Sequence, residues 1–275
     1  MCTSVLILTL NEEVNLPGCL ESVGWSDDVV VFDSYSSDRT VEIAKTAGAR
    51  VIQRRFDNYA SQRSAALTEV TYKYPWVLMV DADERWPREI CEEIRETIGT
   101  DGDVSIYYFL RKDMFMGRWL RHSGGYPTWA GRLIKLGAVT VQRAVNEEYH
   151  STGSKGFLKG HFIHYPFNSG IAHWLHRHNR YSSMEAQALV GELQGQFRLR
   201  DIFSRDVARR RRCVKQLAYR LPLRPSLVFC YLYFVRLGFL DGLAGLTYCR
   251  LRKIYEYTID LKIRELRRRN NGLPA

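Results

Sequence analysis

Residues Trp76-Val77-Leu78-Met79-Val80-Asp81-Ala82-Asp83-Glu84 decide the fold. Five consecutive large apolar residues make a strand with no polar face, which is what a strand buried between two helix layers requires. The run ends at a carboxylate, and a second carboxylate follows at i+2. The same pattern recurs upstream. Val5-Leu6-Ile7-Leu8-Thr9-Leu10 runs into Asn11-Glu12-Glu13, and Val29-Val30-Val31-Phe32 ends at Asp33. Residues 49–53 form a third short strand.

Helical patterns separate these strands. Leu16, Leu20 and Val23 recur at i, i+4 and i+7. Val41, Ile43, Ala44 and Ala47 share a helix closed by Gly48. A further helix covers about 59–70. Pro87 opens another, carrying Ile90, Ile94 and Ile98. Alternating strands and helices with continuous apolar strands predict an α/β fold, its mostly parallel sheet covered on both faces.

From about residue 103 the pattern changes to shorter, mixed strands at 104–110, 131–136, 139–143 and 156–164. From residue 169 onward it is helical. The expected organisation is a domain at 1–168, itself in two halves at 1–100 and 101–168, followed by an extension at 169–275.

With 45% apolar and 25% charged residues in 275, the chain is neither disordered nor a small disulfide scaffold. Its net charge of +10 is unevenly placed. Residues 196–275 hold 19 Lys/Arg against 6 Asp/Glu, a balance of +13, and residues 1–195 hold 21 against 24, a balance of −3. Arg209-Arg210-Arg211-Arg212 and Lys215 precede the aromatic, apolar stretch Leu227-Val228-Phe229-Cys230-Tyr231-Leu232-Tyr233-Phe234-Val235. Cations flanking a short Tyr-rich apolar segment suit the headgroup boundary of an anionic membrane surface. A solvated basic face on a packed helical lid is the plainer alternative. No nucleic-acid module accompanies the charge, so no nucleic-acid partner is expected.

The six cysteines show no C-x-x-C pair and no zinc spacing, and are expected to be free thiols in a reducing compartment. The first residues read as a buried strand rather than a signal peptide. The apolar stretch 227–251 is broken by Arg236, Asp241 and Arg250, short of the roughly 20 apolar residues of a spanning helix. The expected location is cytoplasmic, peripheral on the inner face of the cytoplasmic membrane.

In an open parallel sheet, ligands bind beyond the carboxyl ends of the strands. Asn11, Glu12, Asp33, Asp81 and Asp83 all fall at such ends. Two hard carboxylates at i, i+2 suit Mg²⁺ or Mn²⁺, which completes its shell with phosphate and water. A solvated turn or helix cap is the competing reading of Asp81 and Asp83. No G-x-G-x-x-G follows the first strand and no G-x-x-x-x-G-K-[ST] is present, which sets aside dinucleotide and P-loop sites.

The opening through Asn11-Glu12, with Leu16 and Cys19-Leu20-Glu21-Ser22-Val23, resembles family 2 glycosyltransferases of the GT-A fold. Ser36-Ser37-Asp38-Arg39-Thr40, Ala47-Gly48-Ala49, Asn58-Tyr59-Ala60-Ser61-Gln62-Arg63 and Asp81-Ala82-Asp83-Glu84 extend the likeness. They are closest to the bacterial branch of lipopolysaccharide-core and exopolysaccharide transferases, including lipopolysaccharide core β-1,4-glucosyltransferases. Arg132-Leu133, Val145-Asn146-Glu147, His164-Tyr165, Tyr181, Glu185-Ala186, Gly238-Phe239-Leu240-Asp241-Gly242 and Gly245-Leu246 carry it to nearly the whole chain.

The resemblance implies a nucleotide-sugar donor, a UDP-sugar, and a saccharide or lipid-linked acceptor. The half at 1–100 would then hold the donor and the half at 101–168 the acceptor. Asn11, Glu12, Asp33, Gln62, Arg63 and Asp81 would line the donor pocket. Asp81, Asp83 and His164 would hold Mg²⁺ or Mn²⁺. Arg63 is equally readable as a solvated helix charge. An inverting transfer needs a base for the acceptor hydroxyl. Glu147 is that base by resemblance, and Glu148 competes because Asn146 departs from the branch's usual His-Glu. His161 is the alternative to His164. His173, His176 and His178 lack a zinc pattern and read as an acceptor-side or interfacial face. A metal-dependent nucleotidyltransferase and a non-enzymatic basic adaptor for a membrane or nucleic acid are the alternative functions. The first lacks the Gly/Arg-rich phosphate loop such enzymes carry after strand one.

Overall fold

The computed structural model describes residues 3–98, 102–142, 148–193, 199–204 and 206–274. The chain divides into two compact units: Met1–Met114 with Tyr126–Ser169, and Phe115–Gly125 with Gly170–Ala275. In chain order the first unit contains β1 (Thr3–Thr9), α1 (Leu16–Val23), β2 (Val29–Asp33), α2 (Thr40–Thr46), β3 (Arg50–Gln53), α3 (Tyr59–Glu69), β4 (Trp76–Asp81), β5 (Glu84–Arg85), α4 (Arg88–Ile98) and β6 (Val104–Phe115). After β7 (Arg118–Trp119), it resumes with β8 (Trp129–Lys135), β9 (Val139–Gln142), β10 (Glu148–Ser151) and β11 (Ser154–His164).

The main sheet runs β3-β2-β1-β4-β8-β6-β11-β5. β1 lies parallel to β2 and β4, with Val5 opposite both Val29 and Leu78. β8 then enters antiparallel beside β4, Val77 opposite Ile134. This is the mostly parallel, helix-flanked α/β sheet that the alternating apolar strands and helices predict. Side chains alternate across it. Val5, Ile7, Val31, Leu78 and Val80 pack with Leu16, Cys19 and Val23 of α1 and Ile90 and Ile94 of α4. Leu6, Val30, Phe32, Val77 and Met79 pack on the other face with Ala65 and Ala66 of α3. Each fully buried Val, Leu, Ile, Phe or Met among them contributes about 1.5–3 kcal/mol, which is why the strands read as unbroken apolar runs. α3 is capped by Asn58, whose side chain accepts from Ser61 N at 2.9 Å.

β6 departs from the sequence expectation. It does not stop at residue 110 but continues through Arg111, Lys112 and Asp113 to Phe115. These polar residues stay in the strand because β11 pairs beside them in parallel, Arg111 opposite Phe162 and Asp113 opposite His164.

The second unit contains α5 (Gly170–Leu193), α6 (Val207–Ala218), α7 (Arg224–Cys230) and α8 (Gly242–Asn270). Ala186, Leu189 and Val190 of α5 pack with Ile259 and Ile263 of α8. Arg224 is buried, satisfied by Glu256 Oε2 at 2.5 Å and Asp260 Oδ1 at 2.8 Å, with its guanidinium over the Tyr219 ring. His178 stacks on Trp174 at 3.6 Å between ring centroids and packs edge-on to Tyr255. That makes it an internal aromatic contact, while His173 and His176 are exposed. Arg224–Val235 and Gly238–Asn270 meet at a 74° bend. There the backbones approach so closely that a Cβ on Gly245 would lie 2.2 Å from the Gly238 carbonyl oxygen. Asp241 fixes the bend by accepting from Ser123 N at 2.8 Å and Ser123 Oγ at 2.7 Å. Among the described residues no single helix is long and apolar enough to cross a membrane, although this bent pair passes together on length and composition. Cys19, Cys91, Cys213 and Cys249 are buried free thiols, and Cys230 is an exposed one.

Candidate active site

Because β1, β2 and β4 are parallel, their carboxyl ends share one edge of the first unit, and three of the acidic positions singled out in the sequence gather there. Asp33, at the end of β2, is wholly buried. It accepts from Thr9 Oγ1 at 3.0 Å, Ser36 N at 2.9 Å and Gln53 Nε2 at 2.9 Å. Asn11 sits in the left-handed region at φ 56°. Its side chain accepts from Ser37 N at 2.8 Å, and its own N–H donates to Ser36 Oγ at 2.8 Å. Glu12 N donates to Thr40 Oγ1 at 2.8 Å, and its carboxylate accepts from Asn15 Nδ2 at 2.8 Å. Together Asn11, Glu12 and Asp33 lock the loops after β1 and β2 into one wall. Gln62 extends the wall, accepting from Arg54 Nη1 at 2.7 Å and donating to Ser34 Oγ at 3.0 Å.

Arg63 is 5% exposed, so a solvated helix charge does not describe it. Its Nη2 donates to Asp81 Oδ1 at 2.8 Å. Arg132, on β8, donates to Asp81 Oδ2 at 2.6 Å and also to Glu84. Desolvation would push the Asp81 carboxyl up, but the guanidiniums of Arg132 and Arg63 outweigh it and hold Asp81 well below the usual carboxylate range. Glu84 has no exposed surface, and burial pushes its carboxyl up to about 7 against the opposing pull of Arg132.

Asp83 has a different partner. Its Oδ2 lies 3.3 Å from His164 Nε2, and His164 Nδ1 lies 2.6 Å from Asp113 Oδ1. Burial disfavours the charged ring, yet Asp83 and Asp113 on either side raise its pKa to about 10. His161, three residues earlier on β11 and hence on the opposite strand face, bonds Tyr126 OH at 2.9 Å instead. Among the described residues no three His, Cys, Asp or Glu side chains converge as a ready metal cage. Asp83 and His164 are a two-donor pair, while Asp81 is held by the arginines. Glu147 lies outside the described residues. Glu148 opens β10, opposite Gln142.

Sequence reasoning missed Arg132, Asp113 and Glu84 as members of this site. For Arg132 a signal existed: a cation directly before the apolar pair Leu133-Ile134 in a strand needs a buried anion.

The sheet thus brings acidic strand ends and two buried arginines, Arg63 and Arg132, together at one edge. Residues 4–172 match the family described as glycosyl transferase family 2. The chain belongs to that family and is a glycosyltransferase. It is 31% identical over 211 residues to an uncharacterized glycosyltransferase of Rickettsia typhi, covering 71% of each chain. It is 25% identical over 271 residues to the lipopolysaccharide core biosynthesis glycosyltransferase LpsC of Rhizobium meliloti, 92% of each. Among solved structures, glucosyl-3-phosphoglycerate synthase of Mycobacterium tuberculosis, in complex with Mn²⁺, UDP and glucosyl-3-phosphoglycerate, matches at 19% identity and TM-score 0.36. That match covers 40% of this chain and 44% of that one.

Proposed function

We propose that the chain is an inverting, divalent-metal-dependent enzyme that moves a sugar from a UDP-sugar to a saccharide or lipid-linked acceptor in lipopolysaccharide or exopolysaccharide assembly. The observation that carries this reading is the pairing of Asp83 with His164, 3.3 Å apart, beside an Asp81 held by Arg63 and Arg132. A carboxylate and an imidazole whose far nitrogen is anchored by another carboxylate form a donor set that fits Mn²⁺ or Mg²⁺, since such ions take few protein ligands beside a diphosphate. When bound, the ion stabilises the negative charge of the departing nucleoside diphosphate.

The chain's own residues do the rest. Arg63 and Arg132 keep Asp81 ionised, leaving it an acceptor for ribose hydroxyls. Asn11, Glu12, Asp33 and Gln62 form the wall against which the base and ribose lie. Glu147, or failing it Glu148, takes the acceptor hydroxyl proton as the acceptor oxygen bonds the anomeric carbon and the bond to the diphosphate breaks. Attack from the opposite face inverts that carbon. The acceptor class draws support from the lipopolysaccharide core relative.

Work at the inner face of the cytoplasmic membrane draws support from the second unit, where Tyr231, Phe234, Val235, Phe239 and Leu243 are exposed amid an excess of cations. A thermal-shift panel of nucleoside diphosphates and their sugars, with and without Mn²⁺, tests the donor site. UDP and a UDP-sugar should raise the melting temperature in Mn²⁺, and Asp83→Asn should remove the metal-dependent part. No shift with any nucleotide would overturn the reading.

A further inference from the structure

We propose that the groove between α8 and the segment joining α6 to α7 binds the phosphate headgroup of an anionic phospholipid. The groove encloses about 430 Å³. Lys253, Arg264 and Arg267 line it from α8, at spacings that keep them on one helix face, and Arg220 comes from the opposite wall. The carboxylate in the lining, Asp260, already accepts from Arg224 through Nε at 3.1 Å and Nη2 at 2.8 Å. Lys253, Arg264 and Arg267 are exposed and form no ion pair among the described residues. Three such cations on one helix face, beside a carboxylate already spent on Arg224, are complementary to a phosphate.

The lip of the groove says which phosphate. Leu221 and Leu223 are 45% and 77% exposed. Leu223 is also held in the left-handed region at φ 55°, a conformation that a bulky residue adopts at a cost. Neither burial nor backbone preference explains a leucine there, but contact with acyl chains does. Tyr257, 53% exposed on the same wall, has the amphipathic character of side chains at headgroup depth. Free phosphate would use the cations and leave the leucines idle. A phospholipid uses both.

The proposal rests on the reading of this unit as membrane-facing, and the test separates the two. Full-length protein is titrated calorimetrically with dihexanoyl phosphatidic acid and, in a second arm, with inorganic phosphate. The lipid should bind at one site and at least about tenfold tighter than phosphate, an advantage that Leu221→Ser/Leu223→Ser removes. Arg264→Ala/Arg267→Ala should weaken the lipid at least about tenfold, while Arg250→Ala/Arg268→Ala, which removes equal charge outside the groove, should stay within about twofold. Equal losses from the two charge pairs, or phosphate binding as tightly as lipid, would overturn the site. Co-sedimentation with phosphatidylcholine vesicles, with or without phosphatidic acid, adds the second distinction. Groove variants that sediment like wild type with the acidic vesicles overturn the headgroup site and leave the membrane reading standing. A wild-type chain indifferent to those vesicles overturns both.

Discussion

His164 is held by Asp113: Nδ1 lies 2.6 Å from Oδ1, across a register in which the two residues stand directly opposite on β11 and β6. This leaves Nε2 aimed at Asp83; in the proposed metal site the same contact with Asp113 would orient the ligating ring.

Asp113→Asn should therefore weaken Mn²⁺ binding by about 10–100-fold, measured directly by electron paramagnetic resonance titration without substrate. Asp113→Glu should recover part of the loss, since it restores the carboxylate at slightly different reach. Unchanged Mn²⁺ affinity in Asp113→Asn would show that the contact only supports the strand.

Arg132 bridges two carboxylates, Asp81 and the fully buried Glu84. Removing the shared cation strands Glu84 and leaves Asp81 with Arg63 alone. Arg132→Met should cost about 3–5 kcal/mol in a urea titration, the range for breaking a buried ion pair from one side. Adding Glu84→Gln should return part of that loss by removing the buried charge. Arg132→Lys should recover part of the loss, because both carboxylates bond the same nitrogen, Nη2, and an ammonium with three N–H donors can serve two acceptors. Additive losses in the double variant would contradict the shared bridge.

How much of this was legible in the sequence follows from what each feature depends on. β1, β2 and β4 stood out because burial on both faces leaves no polar position to interrupt an apolar run, and Asp81 and Asp83 stood out because they end one. Asp113 did not. Its importance comes from a partner 51 residues away, and strand register is set by the assembled sheet rather than by local pattern. The polar Arg111-Lys112-Asp113 stretch even disguised the strand that carries it. Glu84 entered only as the last residue of Asp81-Ala82-Asp83-Glu84, since nothing local announces its bond to Arg132. The motif around Gly238 and Asp241 was visible, but its purpose was not. It brings two backbones together at a bend and anchors a turn through Ser123.

Acid should expose a different carboxylate. Asp28 is buried, and desolvation would raise its pKa. Ser4 Oγ at 2.5 Å, Lys73 N at 2.8 Å and Arg50 Nη2 at 2.7 Å outweigh that and hold it below the ordinary value. A depressed folded-state pKa means stabilisation that is complete above the unfolded value, about 3.9, and is lost as pH falls through the folded one. Asp28→Asn should thus cost about 1–3 kcal/mol at neutral pH, and the gap from wild type should narrow steadily below about pH 4. Denaturant midpoints across that range check it, and a gap independent of pH would remove the charge from the explanation.

The base assignment separates two adjacent glutamates. A general base contributes about 10²–10⁴-fold, and only to the step in which the acceptor loses its proton. Glu147→Gln should therefore lower kcat for transfer by that order while leaving the melting-temperature rise with UDP and Mn²⁺ intact. Glu148→Gln, on the first residue of β10, should change kcat only a few-fold. Donor hydrolysis sharpens the comparison. Water needs no acceptor pocket but still needs its proton taken, so Glu147→Gln should lose hydrolysis and transfer together. Loss of transfer alone would mean that Glu147 positions the acceptor. The opposite pattern, with Glu148→Gln inactive and Glu147→Gln turning over normally, would move the role by one residue along the chain.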